Sequence, residues 1–561
     1  MNDIRRTILW VVFAFSLIML WDQWQAYNGR APTFFPGAAK PAVTASAPAS
    51  SVPAATVPGA GAASATPGAN GAAAAPQATA APRERIEVST DVLKLVFDTE
   101  GGSIIKSEFL KFPAQQGQPD QPFVLLDTSG TRVYQAQSGL IGGPFPNHKT
   151  PMKFVGQRTL ANGANELVLR FESAEQGGVR LNKIYTLKRG SYVIDVKHEV
   201  VNASGQPVNP QLYVQLVRDG NKPPDASSFY STFTGPAFYT DAKKFQKVEF
   251  ANIDKGKAEF APSSPDGWVA MVQHYFASAW LLPAGPTHEN FARKLDSGLY
   301  AAGMITPAHM VAPGAIFSTE ARLFIGPQVE KSLQSIAPGL ELVKDYGYVT
   351  ILSKPLYWLL DKLHGVLGNW GWSIVALVVL LKILFYPLNA KAYASMAKMK
   401  AINPKIMEMR ARLKDSPQQM QTEMMRIYRE EKVNPLGGCL PIVIQIPVFI
   451  ALYWVLLSSV EMRGAPWMLW IKDLSVKDPY FILPVVMTLT TMLQTALNPP
   501  PPDPMQAKMM WIMPLVFSVM FFFFPAGLVV YWVTNNILTI AQQWIINTRM
   551  GVPPKFNLPK F

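Results

Sequence analysis

Between residues 371 and 546 the chain passes through five apolar stretches, roughly 371–388, 438–460, 480–497, 509–524 and 526–546. Each approaches the ~20 residues that a helix needs to cross the hydrocarbon core of a bilayer. A backbone in hydrocarbon must satisfy its own hydrogen bonds, so runs of this length confine the region to a helical bundle. Only the stretch 525–527, "PAG", separates the last two runs, which predicts a tight hairpin. Composition points the same way, with 49% hydrophobic and 16% charged residues.

The formal charge of +13 raises the question of a polyanionic partner. The basic residues cluster beside the apolar runs rather than in aromatic-rich basic patches. An anionic lipid face is therefore the expected partner, and DNA is not. Ribosomal RNA is the exception left open. Cys439 is the single cysteine, so no intrachain disulfide forms. The six histidines show no metal-ligand spacing, and there is neither a P-loop nor a GxSxG motif. No cofactor, metal or enzymatic activity is expected.

The N-terminus, "MNDIRRTILWVVFAFSLIMLWDQW", places Arg5 and Arg6 before an apolar run. No small-residue cleavage site follows it, which predicts an uncleaved anchor over 1–25 with its N-terminus in the cytoplasm; a cleaved signal is the alternative. Residues 26–82 form a linker rich in Ala, Pro and Gly, with too little apolar surface to fold. Residues 83–346 change texture. "NELVLRFES", "VRLNKIYTLKRGSYVIDVKHEVVNASG" and "GWVAMVQHYFASAWLLP" alternate with period two between turn residues, predicting a β-sandwich outside the cytoplasm. Its strand faces serve either as a scaffold or as a surface for a sugar or partner. Residues 347–370 predict an amphipathic helix capped by Ser353, lying in the membrane interface or packed on the sandwich.

Residues 371–548 make the five-span core. Its segment 391–435 has ten Lys/Arg against five Asp/Glu, whereas 461–478 has three of each. The positive-inside rule puts the first segment in the cytoplasm and the second outside, in agreement with the anchor. Two helical patterns flank "DSP" in 391–435 and predict a hairpin with Ser416 as a cap. Its apolar positions are rich in methionine, and Met396, Met399, Met420, Met424 and Met425 are candidates for capturing varied apolar partners. The same residues could instead hold the two helices together. The remainder, 549–561, is a short cytoplasmic tail.

"ALVVLLKILFYPL" carries Lys382 among Val, Leu, Ile and Phe, without a carboxylate nearby. A lysine at mid-span costs about 2.5–3.5 kcal/mol, so it needs water, a partner or a path to the headgroups. Other spans also carry polar residues. Tyr531, Asn535, Leu538 and Gln542 share one face of the last run; Thr491 and Gln494 lie in the fourth, and Gln445 in the third. They either line one polar cavity or join the helices by hydrogen bonds.

"YPLNAKAYASMAKMKAINPKI", "EEKVNPLGGCLPIVIQIPVFIALYWVL", "APWMLWIKDLSVKDPYFILPV" and "FPAGLVVYWVTNN" resemble the YidC family of membrane protein insertases, in its Gram-negative bacterial form. The resemblance implies a periplasmic β-supersandwich, similar in fold to sugar-mutarotase-like domains, and a five-helix core around a hydrophilic groove. Lys382 falls at the groove's basic position, where many relatives carry Arg. Val378 replaces a threonine found in some relatives. Phe449, Tyr531 and Trp532 would form the client-contacting surface.

The expected fold is thus a polytopic α-helical membrane protein of six spans with a large periplasmic β-sandwich. The expected function is insertion and folding of inner-membrane proteins, alone or with the Sec translocon. Nascent membrane proteins, the ribosome, targeting factors and anionic lipid are the implied partners. A small-solute or lipid transporter using the same cavity is the alternative; it predicts internal repeats and charge-paired spans, and neither is visible in the sequence.

Overall fold

The computed structural model describes residues 83–114, 120–130, 132–224, 232–295, 298–413, 416–431, 440–498, 504–549, 551 and 556. The expected anchor, linker and most of the C-terminal tail lie outside the described residues. The chain divides into two compact units between Asp345 and Tyr346.

The first unit contains two antiparallel sheets. One runs through Arg85–Ser89, Leu93–Asp98, Ser103–Pro113, Arg132–Ile141, Gln211–Asp219, Leu299–Ile305, His288–Lys294 and Ser263–Ser264, with Pro122–Val124 and Asp127–Ser129 paired at its side. The other runs through Lys244–Lys247, Gly235–Thr240, Trp268–Val272, Phe276–Leu281, Ile316–Pro327, Val193–Asn202, Val179–Lys188, Glu166–Ser173 and Met152–Gly156. Alternation in sequence becomes alternation in burial: Val179, Leu181, Tyr185 and Leu187 point inward while Arg180 and Lys188 face solvent. Polar groups bridge the sheets. The Tyr134 hydroxyl lies 2.7 Å from Ser278 Oγ, and Trp280 Nε1 donates to the Gln215 carbonyl at 3.1 Å.

Trp268–Val272 and Phe276–Leu281 depart from the expected alternation, because every residue in both is buried. Two short helices, α1 (Phe250–Asp254) and α2 (Glu330–Ile336), accompany the sheets. Residues following the last strand cover the outer face of the second sheet: Leu333, Ala337, Leu340 and Val343 pack on Ala237, Trp268, Ala270 and Ala279. Trp268 Nε1 donates to the Pro338 carbonyl at 3.1 Å. Gly339, at φ 72°, lets the backbone pass within reach of the Tyr239 ring, where a Cβ would collide.

One inward position is a lysine. Lys183 is 0% exposed, and its Nζ donates to the carbonyls of Gly101 and Ser138, each at 2.6 Å. Burial pulls its pKa from the ordinary lysine value down to about 7. His198, its neighbour across the strand pair, lies 2.9 Å by Nε2 from Ser138 Oγ, and burial lowers it to about 3.

The second unit is helical: α3 (Thr350–Leu367), α4 (Trp370–Leu384), α5 (Tyr386–Arg412), α6 (Pro417–Glu430), α7 (Leu440–Ser458), α8 (Ile482–Leu497), α9 (Pro504–Phe521) and α10 (Ala526–Arg549). Among the described residues, no single helix is long and apolar enough to cross a membrane. Trp370–Leu384 with Tyr386–Ser395, bent by 63°, meets the requirement as a pair. The expected run 371–388 is thus broken at Phe385. Pro387 has no N–H to continue the ladder, which accounts for the bend.

The start of α3 corrects the expected Ser353 cap. The helix begins at Thr350, and Ser353 is fully buried inside it, where its hydroxyl faces the carbonyls of Val349 and Ala451. Leu356, Leu359 and Leu363 pack on the helical core, and Tyr357 Oη donates to Glu461 at 2.6 Å. Ile351, Trp358 and Val366 point outward, the first and last 87% and 84% exposed. Asn369 caps α4 by accepting from the Trp372 N–H at 3.0 Å and holds the carbonyls of Pro466 and Trp467 with its amide. Ser416 stands at the N-cap position of α6 without a side-chain cap bond.

Candidate functional site

Four helices converge on a cavity that encloses about 420 Å³ of atom-free space, part of it open to solvent. Lys382 from α4, Asn389 from α5, Gln445 from α7, and Tyr531 and Asn535 from α10 supply its polar lining. Val378, Phe385 and Val448 supply apolar wall. Helical periodicity explains the grouping: Tyr531 and Asn535 are four apart on α10, and Val378 and Lys382 are four apart on α4.

Lys382 is 7% exposed. Its Nζ donates to Thr539 Oγ1 at 2.7 Å, and that hydroxyl donates in turn to the Asn535 carbonyl at 2.6 Å. Gln445 Nε2 donates to Asn535 Oδ1 at 2.9 Å, tying α7 to α10 across the cavity. Gln542 spans the α4–α5 break. Its Nε2 donates to the Lys382 carbonyl at 3.1 Å, and its Oε1 accepts from Asn389 Nδ2 at 3.3 Å. The buried ammonium makes no ion pair among the described residues.

The expected site residues do not all meet here. Lys382, Gln445, Tyr531 and Asn535 line the cavity. Phe449 and Trp532 lie beside it: the Phe449 ring stacks on Tyr531 at 5.8 Å and meets Trp532 edge-on at 4.6 Å. Thr491 and Gln494 lie on α8, outside the lining. Thr491 Oγ1 accepts from Asn536 Nδ2 at 2.8 Å, and seven residues further along α10 Gln543 Nε2 donates to Asn498 Oδ1 at 3.0 Å. The polar residues of α10 therefore divide between two faces, one toward the cavity and one gluing α10 to α8.

The hairpin divides likewise. Met420 and Met424 pack on Ile402, Ile406 and Met409 between α5 and α6. Met425 is 50% exposed and Met407 51%. Met396 and Met399 lie on α5, with side chains outside the described residues. Thr539 and Asn389 were not among the residues expected from the sequence. Thr539 falls one turn beyond Asn535 on the same face, and that spacing is the signal that points to it. No group of His, Cys, Asp or Glu among the described residues is arranged to hold a metal.

Two family models cover the chain: YidC periplasmic domain matches residues 85–359 and 60Kd inner membrane protein matches residues 362–552. The Membrane protein insertase YidC of Cupriavidus necator is 56% identical over 550 residues, 98% of each chain. The chain belongs to the YidC family. A second YidC, from Ralstonia nicotianae, is 54% identical and 99% covered on both sides. Among solved structures, an active YidC insertase with its first transmembrane domain resolved covers 82% of this chain and 92% of its own at 19% identity and a TM-score of 0.38. The cavity lies in the part matched as inner membrane protein, and both sheets lie in the part matched as the YidC periplasmic domain.

Proposed function

We propose that this chain is a membrane protein insertase whose working site is the Lys382 cavity. A single observation carries the reading: a buried ammonium, held by a neutral hydroxyl, among polar groups from four helices of a YidC-family chain. An unneutralised positive charge attracts the acidic end of an entering chain, and a polar recess shortens the hydrocarbon path that a hydrophilic tail must cross. The work is transfer of a polypeptide, with no covalent step.

Six spans in the bacterial inner membrane, with the N-terminus and hairpin in the cytoplasm and the β unit in the periplasm, accord with the charge asymmetry of the loops. The outward Ile351, Trp358 and Val366 of α3 suit a helix in the lipid interface, facing anionic headgroups with Lys354 and Lys362. Exposed Met407 and Met425 on the basic hairpin suit capture of nascent helices, near the ribosome or targeting factors. Phe449, Tyr531 and Trp532 give the client an aromatic surface beside the charge. Clients enter alone or from the Sec translocon.

The test is protease protection of two matched clients, one with an acidic and one with a neutral translocated tail, in liposomes holding the full chain. Lys382→Arg retains insertion. Lys382→Ala weakens the acidic-tail client most, and Lys382→Glu is worse still. Attraction between charges at contact in a partly hydrated site is about 1–4 kcal/mol. Equal losses for both tails would return Lys382 to a structural role. Solute or lipid flux without client insertion would favour a transporter.

A further inference from the structure

The lysine that faces the client is held at both ends by one helix. We infer that Thr539, with Gln542 one turn beyond it, is a positioning residue that keeps the Lys382 ammonium at the cavity without neutralising it. The inference rests on the reading of Lys382 as the client-facing charge.

A lysine side chain in a membrane extends toward headgroup phosphates unless something holds it. Here the hold is directional. Thr539 has one hydroxyl hydrogen, which it gives to the Asn535 carbonyl at 2.6 Å. Toward Lys382 it offers only lone pairs, so it accepts from the ammonium, at 2.7 Å. Asn535 is itself braced by the Gln445 amide at 2.9 Å. At the backbone end, where α4 gives way to α5, the Gln542 amide donates to the Lys382 carbonyl at 3.1 Å.

The choice of a hydroxyl matters. A carboxylate would fix the ammonium equally well but would cancel its field. A threonine fixes its place and leaves the charge, and two of its three N–H bonds, for water or for a client carboxylate or carbonyl.

The experiment uses the full chain in liposomes with the acidic-tail and neutral-tail clients. Thr539→Val, Thr539→Ala, Thr539→Ser and Lys382→Ala are compared, with Thr539→Val also combined with Lys382→Ala. A second measurement follows acylation of Lys382 by a water-soluble amine reagent, resolved by peptide mass spectrometry against Lys391. Thr539→Val is expected to reduce acidic-tail insertion by about tenfold, as for loss of one hydrogen bond to a charged group, and to leave the neutral tail nearly untouched. Lys382 acylation should rise as the amine moves toward headgroup water. Thr539→Ser restores both, and Thr539→Val adds nothing to Lys382→Ala.

Equal losses for both clients, a loss additive to Lys382→Ala, or an unchanged acylation rate overturns the inference. If Thr539→Val does not accumulate, Thr539→Ala decides by the same readouts. If Lys382→Ala itself treats both clients alike, the reading beneath fails, and the acylation rate alone still tells whether Thr539 holds the amine.

Discussion

Lys183 and Lys382 are both buried, and neither makes an ion pair among the described residues, yet their surroundings differ in kind. Lys183 lies between two sheets with two backbone carbonyls at 2.6 Å, enough to saturate the two N–H bonds of a neutral amine. Lys382 meets one hydroxyl and borders a cavity. A buried lysine whose donors are all matched is part of a core. One with donors left over, facing space, is available to something that enters. Burial alone does not separate the two cases; unspent hydrogen-bonding capacity does.

The sharpest way to break this comparison is to make the same substitution at both places. Lys183→Met leaves two buried carbonyls without donors, at about 1–3 kcal/mol each. Amide hydrogen exchange in 179–202 of the full chain should accelerate accordingly, while insertion per folded molecule stays unchanged. Lys382→Met should leave exchange in the helical unit unchanged and lose acidic-tail insertion. The contrast collapses if Lys183→Met blocks insertion while exchange in the strands is unaltered.

Protonation sharpens the same comparison. Burial lowers His198 to about 3 and His148 to about 4, so between those values and 6.5 the unfolded chain binds protons that the folded one does not. Stability of the β unit should therefore fall as pH drops from 6.5 toward 4. Lys183, lowered to about 7, acts in the window from 7 to the ordinary lysine value near 10.5, where stability should rise with pH. Exchange measured across pH 4–10 checks both slopes. In Lys183→Met the upper slope should vanish; a slope that persists would assign it to another group.

Both lysines were legible in the sequence, by different signals. Lys382 stands out because an apolar helix has no place for it. Lys183 occupies the inward phase shared by Val179, Leu181, Tyr185 and Leu187, but strands so often carry lysine that its phase is easily passed over. The two-sheet architecture followed from alternation, except where Leu333 to Val343 bury the far face of Trp268–Val272. No local pattern in those strands announces a covering segment from sixty residues away. Ser353 looked like a cap because it precedes Pro355; in the fold the helix starts one turn earlier, and the Ser353 hydroxyl faces the Ala451 carbonyl of α7. On α10, Asn535 and Asn536 are adjacent and chemically equal, and which helices they met depended on the packing of α7 and α8.

The hairpin offers a smaller contrast of the same form, matched surface against spare surface. Met420 and Met424 fill the seam between α5 and α6, whereas Met407 and Met425 do not. Changing the seam pair to Ser should weaken the hairpin by about 1–2 kcal/mol for each partly buried side chain. Changing the exposed pair should leave hairpin exchange unaltered and slow insertion several-fold. If the exposed pair can be changed without slowing insertion, methionine here is packing and nothing more.

The smallest effect is expected from the largest change. Two buried donors of the sandwich are matched within it: Lys183 on Gly101 and Ser138, and Trp268 on Pro338. The Lys382 cavity draws its lining residues from α4, α5, the break between them at Phe385, α7 and α10. Deleting most of residues 83–338 while keeping α3, which packs on the helical core through Leu356, Leu359 and Leu363, should leave client insertion largely intact. Removing α3 as well should not, because it would strip Leu356, Leu359 and Leu363 from the helical core together with the Ser353–Ala451 and Tyr357–Glu461 hydrogen bonds. The measurement is protease-protected client per inserted molecule, with Lys382 acylation as a check that the cavity survives. If insertion is lost in the shorter deletion while acylation is unchanged, the sandwich contributes to the work itself, and the division between a scaffold unit and a working one fails.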